Sequence, residues 1–142
     1  MKMQLFITVI LFFTGVCASS AQDLVAFRQS DGKWGYKNSK EQVVLKATYQ
    51  YAGPFEEGIA AIRQNGLYGY INSKGKPATP IKYNQASFFG KQRLAAVSVN
   101  GQYGFIDRNG KEVIPLQYDL VLNFKEGLTW VKKNKKYGAI DE

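Results

Sequence analysis

The chain has 142 residues, a formal net charge of +8 and no histidine. This length allows one domain or a short run of repeats, and an apolar share of 45% is ordinary for a folded protein. Without histidine, neither a Ser-His-Asp nor a Cys-His catalytic site can be built, and no metal can have histidine ligands. The composition therefore indicates a folded protein that lacks the chemistry of many hydrolases and metalloenzymes.

The first 21 residues have the layout of a secretory signal peptide. Lys2 supplies a positive charge, and the uncharged run 5–16 that follows is too short for a membrane anchor, which takes about 18 residues or more. The small residues 18–21 come next, so we predict cleavage after Ala21. The predicted location is secreted, in the periplasm, the outer envelope or outside the cell, with no transmembrane segment after cleavage.

Cys17 offers an alternative, in which it is the lipidated residue of a lipoprotein. Val16 and Thr14 do not fit the positions before such a cysteine, so we favour simple cleavage. Cleavage leaves residues 22–142 as the mature domain, with no cysteine and a net charge one unit lower. Burial and backbone pairing must then stabilise the protein without a disulfide.

The mature chain repeats itself every 34 or 35 residues. The clearest series is an aromatic residue followed by glycine: Trp34-Gly35, Tyr68-Gly69, Tyr103-Gly104 and Tyr137-Gly138. Three further series keep the same phase: Tyr49, Tyr83 and Tyr118; Phe55, Phe89 and Phe124; Leu24, Ile59, Leu94 and Leu128. A one-residue excess falls between Phe89 and Leu94. Four series in phase predict a repeat protein.

Each unit contains two β-prone runs around a short turn. Asn-Gly and Asp-Gly favour a type I′ turn, because these residues tolerate positive φ. The pattern predicts four hairpins at about residues 24–37, 59–72, 94–107 and 128–140, with turns at Asp31-Gly32, Asn65-Gly66, Asn100-Gly101 and the less suitable Asn134-Lys135. Each full linker adds a third extended segment. One of these precedes Pro115, which indicates an edge strand or a strand end.

Strand alternation places Trp34 and Tyr36 on one face of a hairpin and Gly35 on the other. The later units have the same arrangement of aromatic residues and glycine. A glycine inside a strand weakens it, so four in phase need a reason. We expect another backbone or ring to approach closely there, and we interpret the pattern as the aromatic residue of one unit stacked over the glycine of another. In this interpretation the aromatic residues pack between repeats. The alternative is that they form an exposed platform that binds a ligand.

Two polar sets are candidates for function. One set ends the same strand in each unit: Asn38, Asn72, Asp107 and Asp141. We interpret these residues as turn starters that bind their own backbone, although a carboxylate row is the alternative. The other set is a possible anion-binding cluster around the last turn: Lys132, Lys133, Lys135 and Lys136. Its alternative role is a solvated end that discourages edge pairing.

The repeats resemble the WG-repeat family of bacterial proteins, also called KWG repeats. The best matching segment is Asn100–Pro115, followed by Tyr118-Asp119 and by Phe124–Leu128, although tryptophan precedes glycine only in the first unit. The resemblance implies a β-rich repeat module, often secreted or envelope-associated. It implies no known catalytic activity, so it supplies no catalytic, cofactor-binding or metal-binding residue.

The predicted fold is all-β, with tandem hairpins stacked as an open, twisted, solenoid-like array, and a propeller-like arrangement is the alternative. The first functional hypothesis is a non-enzymatic interaction module that needs no cofactor. Its partner would be an unknown protein or an anionic envelope polymer. No specific binding of nucleic acid is expected. The second is a carbohydrate- or peptidoglycan-binding module with exposed aromatic residues. A hydrolase built on Asp and Glu pairs comes third, because no fixed carboxylate pair is evident.

Overall fold

The computed structural model describes residues 24–89 and 93–141. The predicted signal peptide lies outside these residues, so its cleavage stays a prediction. The described residues form thirteen β-strands and no helix. The prediction of an all-β fold made of tandem hairpins is confirmed.

The strands form four small antiparallel sheets, which follow one another along the chain. The first contains β1 (Val25–Arg28), β2 (Trp34–Lys37) and β3 (Val43–Tyr49), and the second contains β4 (Tyr51–Ala52), β5 (Ile59–Gln64) and β6 (Leu67–Asn72). The third contains β7 (Gln85–Ala86), β8 (Ala95–Val99), β9 (Gln102–Ile106) and β10 (Glu112–Tyr118). The fourth contains β11 (Leu120–Val121), β12 (Leu128–Lys133) and β13 (Lys136–Asp141).

The four predicted hairpins are β1–β2, β5–β6, β8–β9 and β12–β13. Three of their turns have positive φ at both central residues, as a type I′ turn requires: Asn65-Gly66, Asn100-Gly101 and Asn134-Lys135. The first turn was predicted wrongly. There only Gly32 has positive φ, and the amide of Gln29 donates to the carbonyl of Lys33, which closes a three-residue loop.

The predicted turn starters behave as expected in three units. The side-chain oxygens of Asn38, Asn72 and Asp107 each accept hydrogen bonds from the backbone amides two and four residues later. These bonds shape the loop between each hairpin and the extended segment after it. This series is therefore structural in the three units that have such a loop among the described residues.

A hydrophobic core lies between each pair of consecutive sheets. In β5, Ala60 and Ile62 face the core shared with the first sheet, whereas Ile59 and Ala61 face the core shared with the third. Because successive strand residues point to opposite faces, one strand serves two cores. The third and fourth sheets share the last core, so the described sheets pack in series.

Each core contains an aromatic pair that joins two consecutive sheets, as the packing interpretation predicted for Tyr36, Tyr70 and Phe105. The ring centroids of Tyr36 and Phe55 lie 4.7 Å apart, those of Tyr70 and Phe89 4.8 Å, and those of Phe105 and Phe124 4.7 Å. The hydroxyl of Tyr36 also donates to the carbonyl of Gly53 at 2.8 Å. Burial raises the pKa of Tyr36 and of Tyr70 well above the ordinary value, so both stay neutral.

Tyr83 allows a test of how much an unpaired buried hydroxyl costs in stability. Its hydroxyl is buried without a hydrogen-bond partner among the described residues. We expect Tyr83→Phe to keep or raise the free energy of unfolding, by up to about 1 kcal/mol, because an unpaired buried hydroxyl is costly. Tyr36→Phe is the matched control, and loss of its bond to Gly53 should lower that free energy by about 1 kcal/mol. Urea denaturation measures both, and equal losses would contradict the assignment.

Candidate interaction surface

The extended segments 43–49, 77–83 and 112–118 follow the first three hairpins, and we call them the third segments. Each one runs beside the second strand of its own hairpin. Tyr49 lies opposite Trp34 and Leu45 lies opposite Tyr36, so residues 46–48 bulge across the single residue Gly35. Segment 112–118 forms β10, an edge strand that contains Pro115, as predicted.

A bulge of this kind explains why three of the four repeated positions are glycine. A Cβ atom on Gly35 would lie 2.5 Å from the carbonyl oxygen of Leu45, and one on Gly104 would lie 2.5 Å from that of Ile114. On Gly69 it would lie 2.9 Å from the Cα of Ile81. The expected close approach of a backbone is confirmed. The idea of an aromatic residue from another unit stacked over the glycine is wrong, because the nearest atoms belong to the third segment that follows the same hairpin.

Gly138 differs from the other three glycines. A Cβ atom there would meet nothing within 4 Å. Within the described part of the chain, β13 is an edge strand with β12 as its only neighbour in the sheet. The space that a third segment fills beside Gly35, Gly69 and Gly104 is therefore open at Gly138.

The aromatic residues before the glycines divide in the same way. Trp34, Tyr68 and Tyr103 are half-buried, whereas Tyr137 is 67% exposed. Cationic groups lie above three of the rings: Arg28 at 6.0 Å from the centroid of Trp34, Arg63 at 5.5 Å from Tyr68 and Lys132 at 5.2 Å from Tyr137. These four rings do not form a continuous exposed row, because only Tyr137 among them is largely exposed.

The fourth sheet exposes an apolar face, which we call the outer face. Its residues alternate with the buried Thr129 and Val131, and they are Leu120, Leu122, Leu128, Trp130 and Tyr137. In the first three sheets the equivalent face packs against the next sheet, for example through Ile59 and Ala61. Trp130 is 59% exposed. The fourth sheet thus presents a surface of the kind that this fold otherwise buries.

The four candidate lysines lie around the β12–β13 turn but on different sides of it. Lys132 lies on the outer face, above Tyr137. Lys133 points the other way and donates to Oε1 of Gln117 at 2.6 Å. Lys135 lies in the turn and Lys136 begins β13, and both are exposed. Lys136 is paired with Lys133 and shares its side of the sheet, so only Lys132 lies on the outer face itself, and the role of the four lysines in anion binding stays a prediction.

The outer face was not predicted from the sequence. A signal was present, because Trp130 stands where the other units have Ala26, Ala61 and Ala96. A large ring at a position that otherwise fits between two sheets indicates a sheet without a neighbour on that side. The alternation of side chains gave the faces of each strand but not which face would be covered.

No cluster of three metal-ligating acidic, cysteine or histidine side chains occurs among residues 24–89 and 93–141. A shallow depression between the third and fourth sheets is lined by seven uncharged residues, among them Ser87, Tyr103 and Asn123. Over the same described ranges, no helix is long and apolar enough to cross a bilayer.

Comparison with known proteins gave one result. The family described as WG containing repeat matches residues 34–68, 68–103 and 103–137, so each match begins at the aromatic residue that precedes a repeated glycine. Searches of curated proteins and of solved structures found no match. Since the matched units cover more than half of the chain and their boundaries coincide with the structural period, the chain belongs to the WG-repeat family.

Proposed function

We propose that this protein is a secreted, non-enzymatic interaction module whose contact surface is the outer face of the fourth sheet with the adjoining lysine turn. The observation that carries the proposal is the exposure of an apolar face that is buried in the three preceding sheets. Exposed apolar patches with a polar rim are typical of interaction sites. Secretion rests on the predicted signal peptide, and N-terminal sequencing of exported protein tests cleavage after Ala21.

The charge beside this surface favours an anionic partner, either an acidic protein or an envelope polymer. Lys132 adjoins the exposed Tyr137, while Lys135 and Lys136 extend from the turn into solvent. Exposed cations attract anionic polymers over a Debye length of about 8–10 Å at moderate salt, and over much less at high salt. Binding to such a partner should therefore depend strongly on salt.

We expect replacement of Lys132, Lys133, Lys135 and Lys136 by glutamine to weaken binding to linear polyphosphate at least about tenfold, because four positive charges are lost from one turn. A titration at low and high salt measures the effect. The matched control replaces four exposed lysines elsewhere, namely Lys33, Lys40, Lys46 and Lys111. Equal losses in the two variants, or an affinity unaffected by salt, would contradict a contact at the turn.

The second candidate function is carbohydrate or peptidoglycan binding, and the exposed rings of Trp130 and Tyr137 favour it. Apolar ring faces stack on neutral sugars without a contribution from charge. Binding of peptidoglycan fragments should then survive high salt and be lost in Trp130→Ala, while the four-lysine variant retains it. The opposite pattern, sensitivity to salt and to the lysines, supports the first candidate.

A further inference from the structure

We propose that the open edge of β13 binds an extended segment of a protein partner, which adds a strand to the fourth sheet. The segment would carry an aliphatic-proline-aliphatic run, then a tyrosine and then an acidic residue. This inference rests on the proposed function, because it names the class of partner that the fourth sheet takes.

The first support is the direction of the backbone groups of β13. Residues 134–135 form a two-residue turn, so Lys133 and Lys136 are the hydrogen-bonded pair that closes it. The next pair, Lys132 and Tyr137, is then a non-hydrogen-bonded pair. The amide and carbonyl of Tyr137 therefore point away from β12, toward the open edge.

The second sheet shows what fills this position. There the amide of Tyr68 donates to the carbonyl of Tyr83 at 2.7 Å, and the amide of Tyr83 donates back at 3.1 Å. Tyr68 is the counterpart of Tyr137 in the repeat, but nothing in residues 24–89 and 93–141 supplies such bonds to Tyr137. An added strand would satisfy both groups.

The second support is the open space at Gly138. The other three glycines lie under the bulge of a third segment, where any Cβ atom would be 2.5–2.8 Å from its nearest neighbour. At Gly138 the same lack of a side chain leaves an unfilled slot. The edge therefore has both the free backbone groups and the clearance that the bulge of such a segment requires.

The three third segments of this chain define the chemistry of the occupant. Each places a tyrosine opposite the aromatic residue that precedes the glycine: Tyr49, Tyr83 and Tyr118. Two of them place a proline at the bulge, with Pro80 beside Gly69 and Pro115 beside Gly104. A partner segment of this composition matches the slot in shape and in hydrogen bonding.

Charge specifies the residue after the tyrosine. Because the pairing is antiparallel, the chain beyond Tyr118 runs toward the turn of its hairpin, and the next residue is Asp119. At β13 the corresponding turn carries the exposed Lys135 and Lys136. An acidic residue at this point of the partner would lie beside two cations, which favours an acidic over a basic segment.

Segment 111–119 of this chain, Lys111 to Asp119, is the natural probe. We expect the labelled peptide to bind the purified protein in fluorescence anisotropy, titrated to millimolar concentration. Gly138→Val should weaken binding at least about tenfold, because its side chain occupies the slot and removes the paired hydrogen bonds. The variant should keep its fold, which circular dichroism checks, because the new Cβ meets nothing within 4 Å.

Two peptide controls test the details. Methylation of the backbone nitrogen of Tyr118 removes one of the two hydrogen bonds and should weaken binding about tenfold. A scrambled peptide should not bind. No binding of the native peptide, or equal binding to the protein and to a folded Gly138→Val variant, would overturn the proposal.

The proposed function and this inference fail separately. Polyphosphate binding depends on the lysines and should be unchanged in Gly138→Val, whereas peptide binding depends on the slot. A loss of peptide binding in Gly138→Val supports the edge site even if the lysine variant still binds polyphosphate. Conversely, salt-sensitive polyphosphate binding together with no peptide binding retains the proposed function and rejects the added strand.

Discussion

Replacing Gly104 by valine is expected to lower the free energy of unfolding by at least about 3 kcal/mol. The new Cβ would lie 2.5 Å from the carbonyl oxygen of Ile114 and 2.7 Å from two backbone atoms of Pro115. Backbone atoms cannot rotate away as a flexible side chain does, so the bulge of β10 would have to leave β9. Urea denaturation monitored by circular dichroism measures the loss.

Gly138→Val is the matched control for this prediction. It makes the same change at the same point of the repeat, but the new Cβ meets nothing within 4 Å. We expect a change within about 0.5 kcal/mol, in either direction, as is usual for surface sites where the new side chain has room. Equal destabilisation of the two variants would show that valine disfavours the strand itself, and the role assigned to the bulge would be wrong.

The second large effect is expected at Tyr70. Its ring packs 4.8 Å from that of Phe89 in the core between the second and third sheets, and its hydroxyl donates to the carbonyl of Ser87. We expect Tyr70→Ala to cost about 3–5 kcal/mol, because it leaves a cavity at the junction of two sheets. Thermal and urea unfolding of the purified variant measure the cost.

Two comparisons identify the origin of that cost. Tyr70→Phe keeps the ring and removes only the hydrogen bond to Ser87, so it should cost about 1 kcal/mol. Tyr137→Ala removes an exposed ring from the fourth sheet and should change stability by less than about 0.5 kcal/mol. If Tyr70→Ala cost no more than Tyr70→Phe, the aromatic pairs would not be what joins consecutive sheets.

The hairpins could be predicted from the sequence because their determinants are local. A turn such as Asn65-Gly66 fixes the pairing of the two strands beside it, and the 34- or 35-residue period multiplies the signal. The prediction of the first turn was wrong for an equally local reason. Asp31 precedes the glycine, but the side-chain oxygen of Asp31 accepts from the amide of Lys33 and stabilises a longer loop.

The third segments were harder to predict because a bulge interrupts their alternation. Residues 46–48 lie opposite the single residue Gly35, so neither the period of two nor the turn chemistry reveals the register. The reason for the glycines depends on that register. For the same reason Gly138 and Gly104 look equivalent in the sequence, although only Gly104 lies under a bulge.

The candidate surface could be predicted only in part. The lysines around Asn134 are visible as a run in the sequence, but their division between two sides of the hairpin follows from the pairing of Lys132 with Tyr137. The exposure of Trp130 depends on the absence of a neighbouring sheet on that side of the described chain. The sequence signals this exposure only when the units are compared, because Trp130 replaces the alanine of the other three units.

Because one strand contributes side chains to two cores, the fold restricts which insertions and deletions the chain tolerates. Deletion of a whole unit of 34 or 35 residues would join two faces that already match, because every internal sheet offers the same pair of faces. Deletion of one residue within β5 would move Ile62 and Ala61 into each other's cores, and both interfaces would fail together. Insertions and deletions should therefore accumulate between the strands or as whole units.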